Sequence, residues 1–166
     1  MKRVLVIGIG SPFGDDRLGW EAAETLRRSG DISAATGGII EISHLDHPGS
    51  LVTMPWRDTD CVILLDAVRS GALPGTPHCL AADELAGAGL ACSSHGFGVA
   101  EAVGLIRALG GMPSRLWVRG IEADPSWAGM SLSPAVASAL PAFCVAVAKE
   151  ALELSFDHPT ANANPA

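Results

Sequence analysis

Two short runs, Val4–Ile7 and Val62–Leu65, are apolar at every position. A strand with one wet face alternates apolar and polar residues, whereas a continuous apolar run needs cover on both faces. That requirement directs the chain toward a mostly parallel sheet sandwiched between helices, and the segments between the runs supply those helices. Leu18, Ala22 and Leu26 fall on one helical face and predict a first helix ending near Gly30. Gly37-Gly38 introduces a second strand over Ile39–Ser43. A short helix is expected within His47–Arg57, its ends blurred by Pro48 and Pro55. The middle strand spans Cys61–Leu65. Pro74-Gly75 marks a turn, and Pro77–Leu80 reads as a short edge strand. Phe97–Leu109 is helical, with Val99, Val103 and Ile106 on one face and Gly110-Gly111 and Pro113 as its stop. Leu116–Ile121 is the last strand. Ser133 as N-cap and Pro134 at the first helical position open a helix to about Leu154, with a kink expected at Pro141.

The chain has 166 residues, 48% hydrophobic and 17% charged, enough to bury one core without staples. One domain is expected over residues 1–156, followed by a disordered tail, 157–166. A formal net charge of -7 argues against nucleic acid as the main partner. Met1-Lys2-Arg3 runs straight into the first strand, and Val4–Ile7 is too short for a leader or a membrane span. The four cysteines, Cys61, Cys79, Cys92 and Cys144, form no CxxC pair. A reduced, cytoplasmic setting with no membrane partner follows as the expectation, with Cys92, near His95, the one candidate reactive thiol.

In open sheets of this kind ligands bind beyond the carboxyl ends of the strands. Three segments each place a potential metal ligand there: GIGSPFGDD with Asp16, VILLDAVRSG with Asp66, and SSHGFGVAEA with His95. Two carboxylates and an imidazole suit a divalent cation of hard to borderline character. Each residue alone has a plainer explanation. Asp15 or Asp16 suits a helix cap, Asp66 a turn, and His95 a cap or a surface position. Convergence on one rim is what favours the metal reading. A dinucleotide reading of Gly8, Gly10 and Gly14 competes, with Glu41 as a ribose-binding acid. The spacing is GxGxxxG rather than GxGxxG, and Asp15 and Asp16 would repel a phosphate at the helix mouth. HLDH, from His44 to His47, is a second possible metal cluster, read more readily as a polar strand exit with Asp46 facing the cleft.

The segments GIGSPFGDDRLG, VILLDAVRSGALPGT, SSHGFGVAEAVGLIRALG and GIEADPSWAGMSLSPAVASAL, in this order, resemble the hydrogenase maturation proteases, nickel-dependent endopeptidases. The resemblance covers the chain to about Leu154. It implies a three-layer αβα sandwich around a twisted, mainly parallel five-stranded sheet, of the phosphorylase/hydrolase-like kind. It implies removal of a C-terminal peptide from the large-subunit precursor of a nickel–iron hydrogenase after nickel insertion. Asp16, Asp66 and His95 match the family's metal-contacting positions. The Ni2+ would arrive on the substrate, and Asp16 and Asp66 would be the catalytic acids, one of them a general base. Ser11 stands where the family usually has asparagine, and the loop is one residue shorter before the acid pair. The partner implied is the precursor, and the protease is expected to be a monomer. A non-catalytic module that checks the metal on the precursor is the alternative.

Overall fold

The computed structural model describes residues 3–30, 32, 36, 39–56, 60–85, 91–92 and 98–156. The expected disordered tail, 157–166, and His95 lie outside them. Six strands are present among these residues: β1 Val4–Ile9, β2 Ile40–Leu45, β3 Cys61–Arg69, β4 Pro77–Ala81, β5 Ala91–Cys92 and β6 Arg115–Glu122. The helices are α1 Leu18–Arg28, α2 Ala82–Leu85, α3 Val99–Ala108 and α4 Pro134–Phe156. The segments Gly14–Arg17 and Pro48–Thr53 form 3₁₀ turns, the second in place of the short helix expected there.

The apolar runs form the centre. β1 lies between β2 and β3, parallel to both, with Val4 opposite Ile40 and Cys61. β3 continues in parallel register with β6, and β4 closes the edge antiparallel to β6. The order is β2-β1-β3-β6-β4, the expected mainly parallel five-stranded sheet. The two residues of β5 add a short antiparallel pairing at the end of β3, Cys92 opposite Val68. One face of the sheet packs Val4, Val6, Ile63 and Leu65 against Leu18, Ala22 and Leu26 of α1 and Val136, Phe143 and Val147 of α4. The other packs Leu5, Ile7, Val62 and Leu64 against Leu51, Leu85, Val99, Val103 and Ile106. Three layers result because neither face of β1 or β3 can meet water.

The helix α4 is long and apolar enough to cross a membrane by length and composition. Here its apolar stripe, Val136, Phe143, Cys144, Val147 and Ala151, faces the core. Ser133 caps it as the sequence predicts, its hydroxyl accepting from the Val136 N–H at 3.4 Å. Pro141 lies inside this helix, on its exposed side.

The strand order reverses direction around β1, because β1 leads to β2 on one side and β3 lies on the other. A crevice opens outside the carboxyl ends of two such neighbours, where no crossover helix covers both. The segment after β1 carries Asp16, and β3 carries Asp66 three residues before its end.

Candidate active site

Gly8 and Gly19 allow α1 to seat directly on the sheet. A Cβ on Gly8 would lie 2.0 Å from the Gly19 carbonyl oxygen, and one on Gly19 would lie 2.0 Å from that of Ile9. Backbone also fills the space beside Gly10, where a Cβ would meet the Asp16 carbonyl oxygen at 2.4 Å. These glycines serve strand–helix packing and leave no phosphate cradle. Glu41 is the second residue of β2 rather than near its end, and its carboxylate pairs with Arg3 at 2.8 Å. The dinucleotide reading therefore loses both its supports.

The loop after β1 turns at Gly14, whose φ of 53° favours glycine, and enters the 3₁₀ turn that carries both acids. Their roles separate. Asp15 is 5% exposed, and its carboxylate accepts the Ser133 N–H at 2.7 Å and the Asp124 N–H at 2.8 Å. It is not the cap of the first helix but a clamp on the β6–α4 loop. The Gly14 N–H adds a bond to the Met130 carbonyl at 3.1 Å. Asp15→Ala leaves two backbone donors without their acceptor and is expected to cost about 2–3 kcal/mol, read as a lowered denaturation midpoint.

Asp16 lies beyond the carboxyl end of β1, within reach of Arg69 at the end of β3. Its backbone is fixed, the N–H donating to the Phe13 carbonyl and the carbonyl accepting from the Ser11 N–H, each at 3.1 Å. Its side chain is 14% exposed, and its Oδ1 lies 3.4 Å from Nη2 of Arg69.

Asp66 does not end its strand. β3 runs three residues further, and Asp66 sits inside the ladder opposite Gly120. It points to the α3 face and is 2% exposed. The Ala67 N–H donates to its Oδ1 at 2.9 Å, while its Oδ2 is buried without a hydrogen-bond partner among the described residues. Burial pushes its carboxyl up to about 8, and the charge of Asp16 adds to the rise; the Ala67 N–H and Arg69 oppose it. Asp66 is therefore largely protonated at neutral pH and electrostatically linked to Asp16.

Two further buried atoms at this rim, Ser11 Oγ and Arg69 Nε, also have no hydrogen-bond partner among the described residues. Buried polar groups in folded proteins are nearly always paired, so such a concentration marks a place built for something else. An orphaned carboxylate oxygen beside a second carboxylate fits a divalent cation. Among the described residues, no three His, Cys, Asp or Glu side chains converge as a complete ligand set. The third predicted ligand, His95, lies outside the described residues. β5 brings the chain, at Cys92, to the level of Val68, just past Asp66 on β3.

HLDH has other duties. His47 caps the 3₁₀ turn, its Nδ1 accepting the Gly49 N–H at 2.9 Å, and the His44 ring tilts against Trp20 with centroids 5.9 Å apart. Burial pushes the Cys144 thiol up to about 11, which makes it an inert core residue.

Sequence reasoning passed over three residues of this rim: Asp15 as a clamp, Arg69, and Glu122. Glu122 ends β6 at 3% exposure and gathers four donors. They are the N–H groups of Ser70 at 2.8 Å and Gly71 at 2.9 Å, the Ser70 hydroxyl at 2.7 Å, and His78 Nε2 at 2.8 Å. Burial would raise its carboxyl, but these bonds together outweigh it and hold Glu122 below the ordinary carboxylate range. It fixes the backbone that follows Arg69. An acid closing the apolar strand LWVRGIE was the one local signal for it.

A family model, hydrogenase maturation protease, matches residues 48–150. Several solved structures share the fold. The hydrogenase maturating endopeptidase HybD from E. coli is 24% identical, with 91% of this chain and 93% of that one covered and a TM-score of 0.69. An endopeptidase from Escherichia coli, solved in solution, is 24% identical over 93% and 94% of the two chains, with a TM-score of 0.74. The [NiFe] hydrogenase maturation protease HybD from Thermococcus kodakarensis is 22% identical over 90% and 99%, with a TM-score of 0.66. Among curated proteins, none matches the chain. With most of its length under the family model, the chain belongs to the hydrogenase maturation protease family, a family of endopeptidases.

Proposed function

We propose that this endopeptidase removes a C-terminal peptide from the nickel-loaded large-subunit precursor of a nickel–iron hydrogenase. In this reading Asp16, Asp66 and His95 contact the nickel, which is part of the substrate and not a resident cofactor. The observation that carries it is the buried, unpartnered Oδ2 of Asp66 beside Asp16. A neutral acid held in that place is a poor trap for a proton-bearing donor, but it becomes a strong ligand once a cation offsets its burial. Docking of the metal displaces the Asp66 proton, and the scissile bond comes to rest beside the acids. A water then adds to its carbonyl carbon, with the carbonyl electrons moving to oxygen and the water proton passing to one of the two carboxylates. Collapse of the adduct returns a proton to the leaving amine.

The surroundings suit a polypeptide substrate. Phe13, Trp127 and Met130 are 58%, 39% and 64% exposed. They gather around Gly14, where an added Cβ would lie 3.7 Å from the Trp127 ring. Large exposed apolar groups beside a crevice favour binding of a partner chain. The shortened first loop still brings Asp16 within electrostatic reach of Asp66, which supports catalysis over a purely metal-checking role. In this reading the protease acts as a cytoplasmic monomer on the free precursor.

The test is the intact mass of a nickel-loaded precursor after incubation with wild type, Asp16→Asn or His95→Ala. Loss of a C-terminal peptide with wild type alone is the expected result. Cleavage by either variant removes that residue from the site, and no cleavage by wild type removes the function.

A further inference from the structure

Arg69 is unexplained by the reaction just described. It is the last residue of β3, and its backbone is held from both sides. Arg69 pairs with Ala91 in β5, and the next two N–H groups, of Ser70 and Gly71, are bound by Glu122. The side chain is less committed. It is 36% exposed, and among the described residues its Nη2 makes one long contact, 3.4 Å to Asp16, and its buried Nε has no partner. Its charge is felt at Asp66, where it opposes the effect of burial. A permanent cation therefore stands beside Asp16 and acts on Asp66 through its charge.

We propose that Arg69 is the specificity-determining residue of this site. Its guanidinium holds the place of a cation beside Asp16, within electrostatic reach of Asp66, so free divalent metal is rejected and a metal is accepted only when a docked protein displaces the side chain. The inference rests on the reading of the site as one that meets a substrate-borne metal.

The physical need is plain. A carboxylate beside a second acid that ionises once a cation arrives draws in any divalent metal in solution, and nitrogen and oxygen ligands do not by themselves select nickel. A resident metal would leave no room for the one on the precursor. A guanidinium is charged at every physiological pH. It repels an entering cation, and it offsets the acids while the site waits. It is attached at one end only, so a docking polypeptide can move it without disturbing β3. The unpartnered Asp66 oxygen, 2% exposed as a residue, is the independent sign that a ligand belongs there.

The experiment is calorimetric titration of Ni2+ into the metal-free, full-length protein as wild type, Arg69→Gln, Arg69→Ala and Arg69→Lys, with wild-type processing of the nickel-loaded precursor measured in parallel. Removing one charge at this range is expected to tighten binding of free Ni2+ at least tenfold in both neutral variants. Arg69→Lys keeps the charge and should stay within about threefold of wild type. Adding Asp66→Asn to Arg69→Gln should abolish the gain, which a general change in surface charge would not do. If both neutral variants bind Ni2+ no more tightly than wild type while wild type still cleaves the precursor, the role of Arg69 is wrong and the protease reading stands. If wild type does not cleave, the reading of the site falls first, whatever the titration shows.

Discussion

Asp66→Asn is expected to abolish processing and, in the same protein, to raise stability at alkaline pH. The two effects share one cause. The carboxyl is buried and pushed up to about 8 from an ordinary 3.8. Below about pH 4 it is protonated in the folded and the unfolded chain alike, and it costs nothing. Between those two values the folded chain keeps a proton that the unfolded chain has released. Stability therefore falls as pH rises through that window, and the loss is complete above about pH 8. An amide fills the same volume, still accepts the Ala67 N–H, and never ionises. The variant should gain on the order of 3 kcal/mol over wild type at pH 9, a figure kept well below the ~1.4 kcal/mol per pKa unit that the shift allows. The gain should vanish at pH 4. Denaturant unfolding at pH 4, 7 and 9 measures it, and a pH-independent difference would refute the burial of an ionisable Asp66. The loss of activity should be complete because an amide is a far weaker ligand and accepts no proton. Activity sites are commonly held at a cost in stability, and here that cost has a pH signature.

Gly19→Ala is the largest expected structural effect, and its sign is opposite to the usual one. Alanine in place of a helical glycine normally stabilises by about 0.5–1 kcal/mol. Gly104 of α3 is such a case, since nothing lies within 4 Å of an added Cβ there. At Gly19 the new atom would lie 2.0 Å from the Ile9 carbonyl oxygen and 2.5 Å from that of Leu65. Neither is the tip of a flexible side chain; both are strand backbone, one residue from the loop to Asp16 and one residue from Asp66. The helix can only lift off the sheet, so a loss of roughly 4 kcal/mol or more is expected. Gly104→Ala is the matched control and should melt slightly higher than wild type. Equal melting temperatures for the two variants would contradict the seating of α1.

What the sequence disclosed and what it withheld follow from the range of the interactions. The runs Val4–Ile7 and Val62–Leu65 exposed their burial directly, and the order of helices between them gave the layers. Asp16 and Asp66 were legible because each follows an apolar strand, and strand ends in such sheets meet on one rim. The end of β3 was misplaced because a polar residue after four apolar ones reads as a strand exit. Asp66 remains in the ladder because β6 supplies a partner register out to Glu122. The short elements β5 and α2 have no period to read and exist through their neighbours. Glu122 and Asp15 were hidden for a different reason. Glu122 meets Ser70 from 52 positions away, and Asp15 meets Ser133 from 118. No local spacing encodes such pairs. Asp15 was instead read as a helix cap, the only role its immediate neighbours suggest.

The clamp formed by Asp15 also sets how this acid pair ages under mutation. Its two oxygens are matched to backbone donors at 2.7 and 2.8 Å, so a longer acid would drive the carboxylate into them and a neutral residue would orphan them. Asp16, one peptide further on, has a guanidinium nitrogen 3.4 Å from its carboxylate, a longer contact than either bond of the clamp. Side-chain length is thus dictated by backbone donors at the first position and is less constrained at the second. Glutamate is therefore expected to be tolerated far better in place of Asp16 than in place of Asp15, whose carboxylate serves the packing of a distant loop.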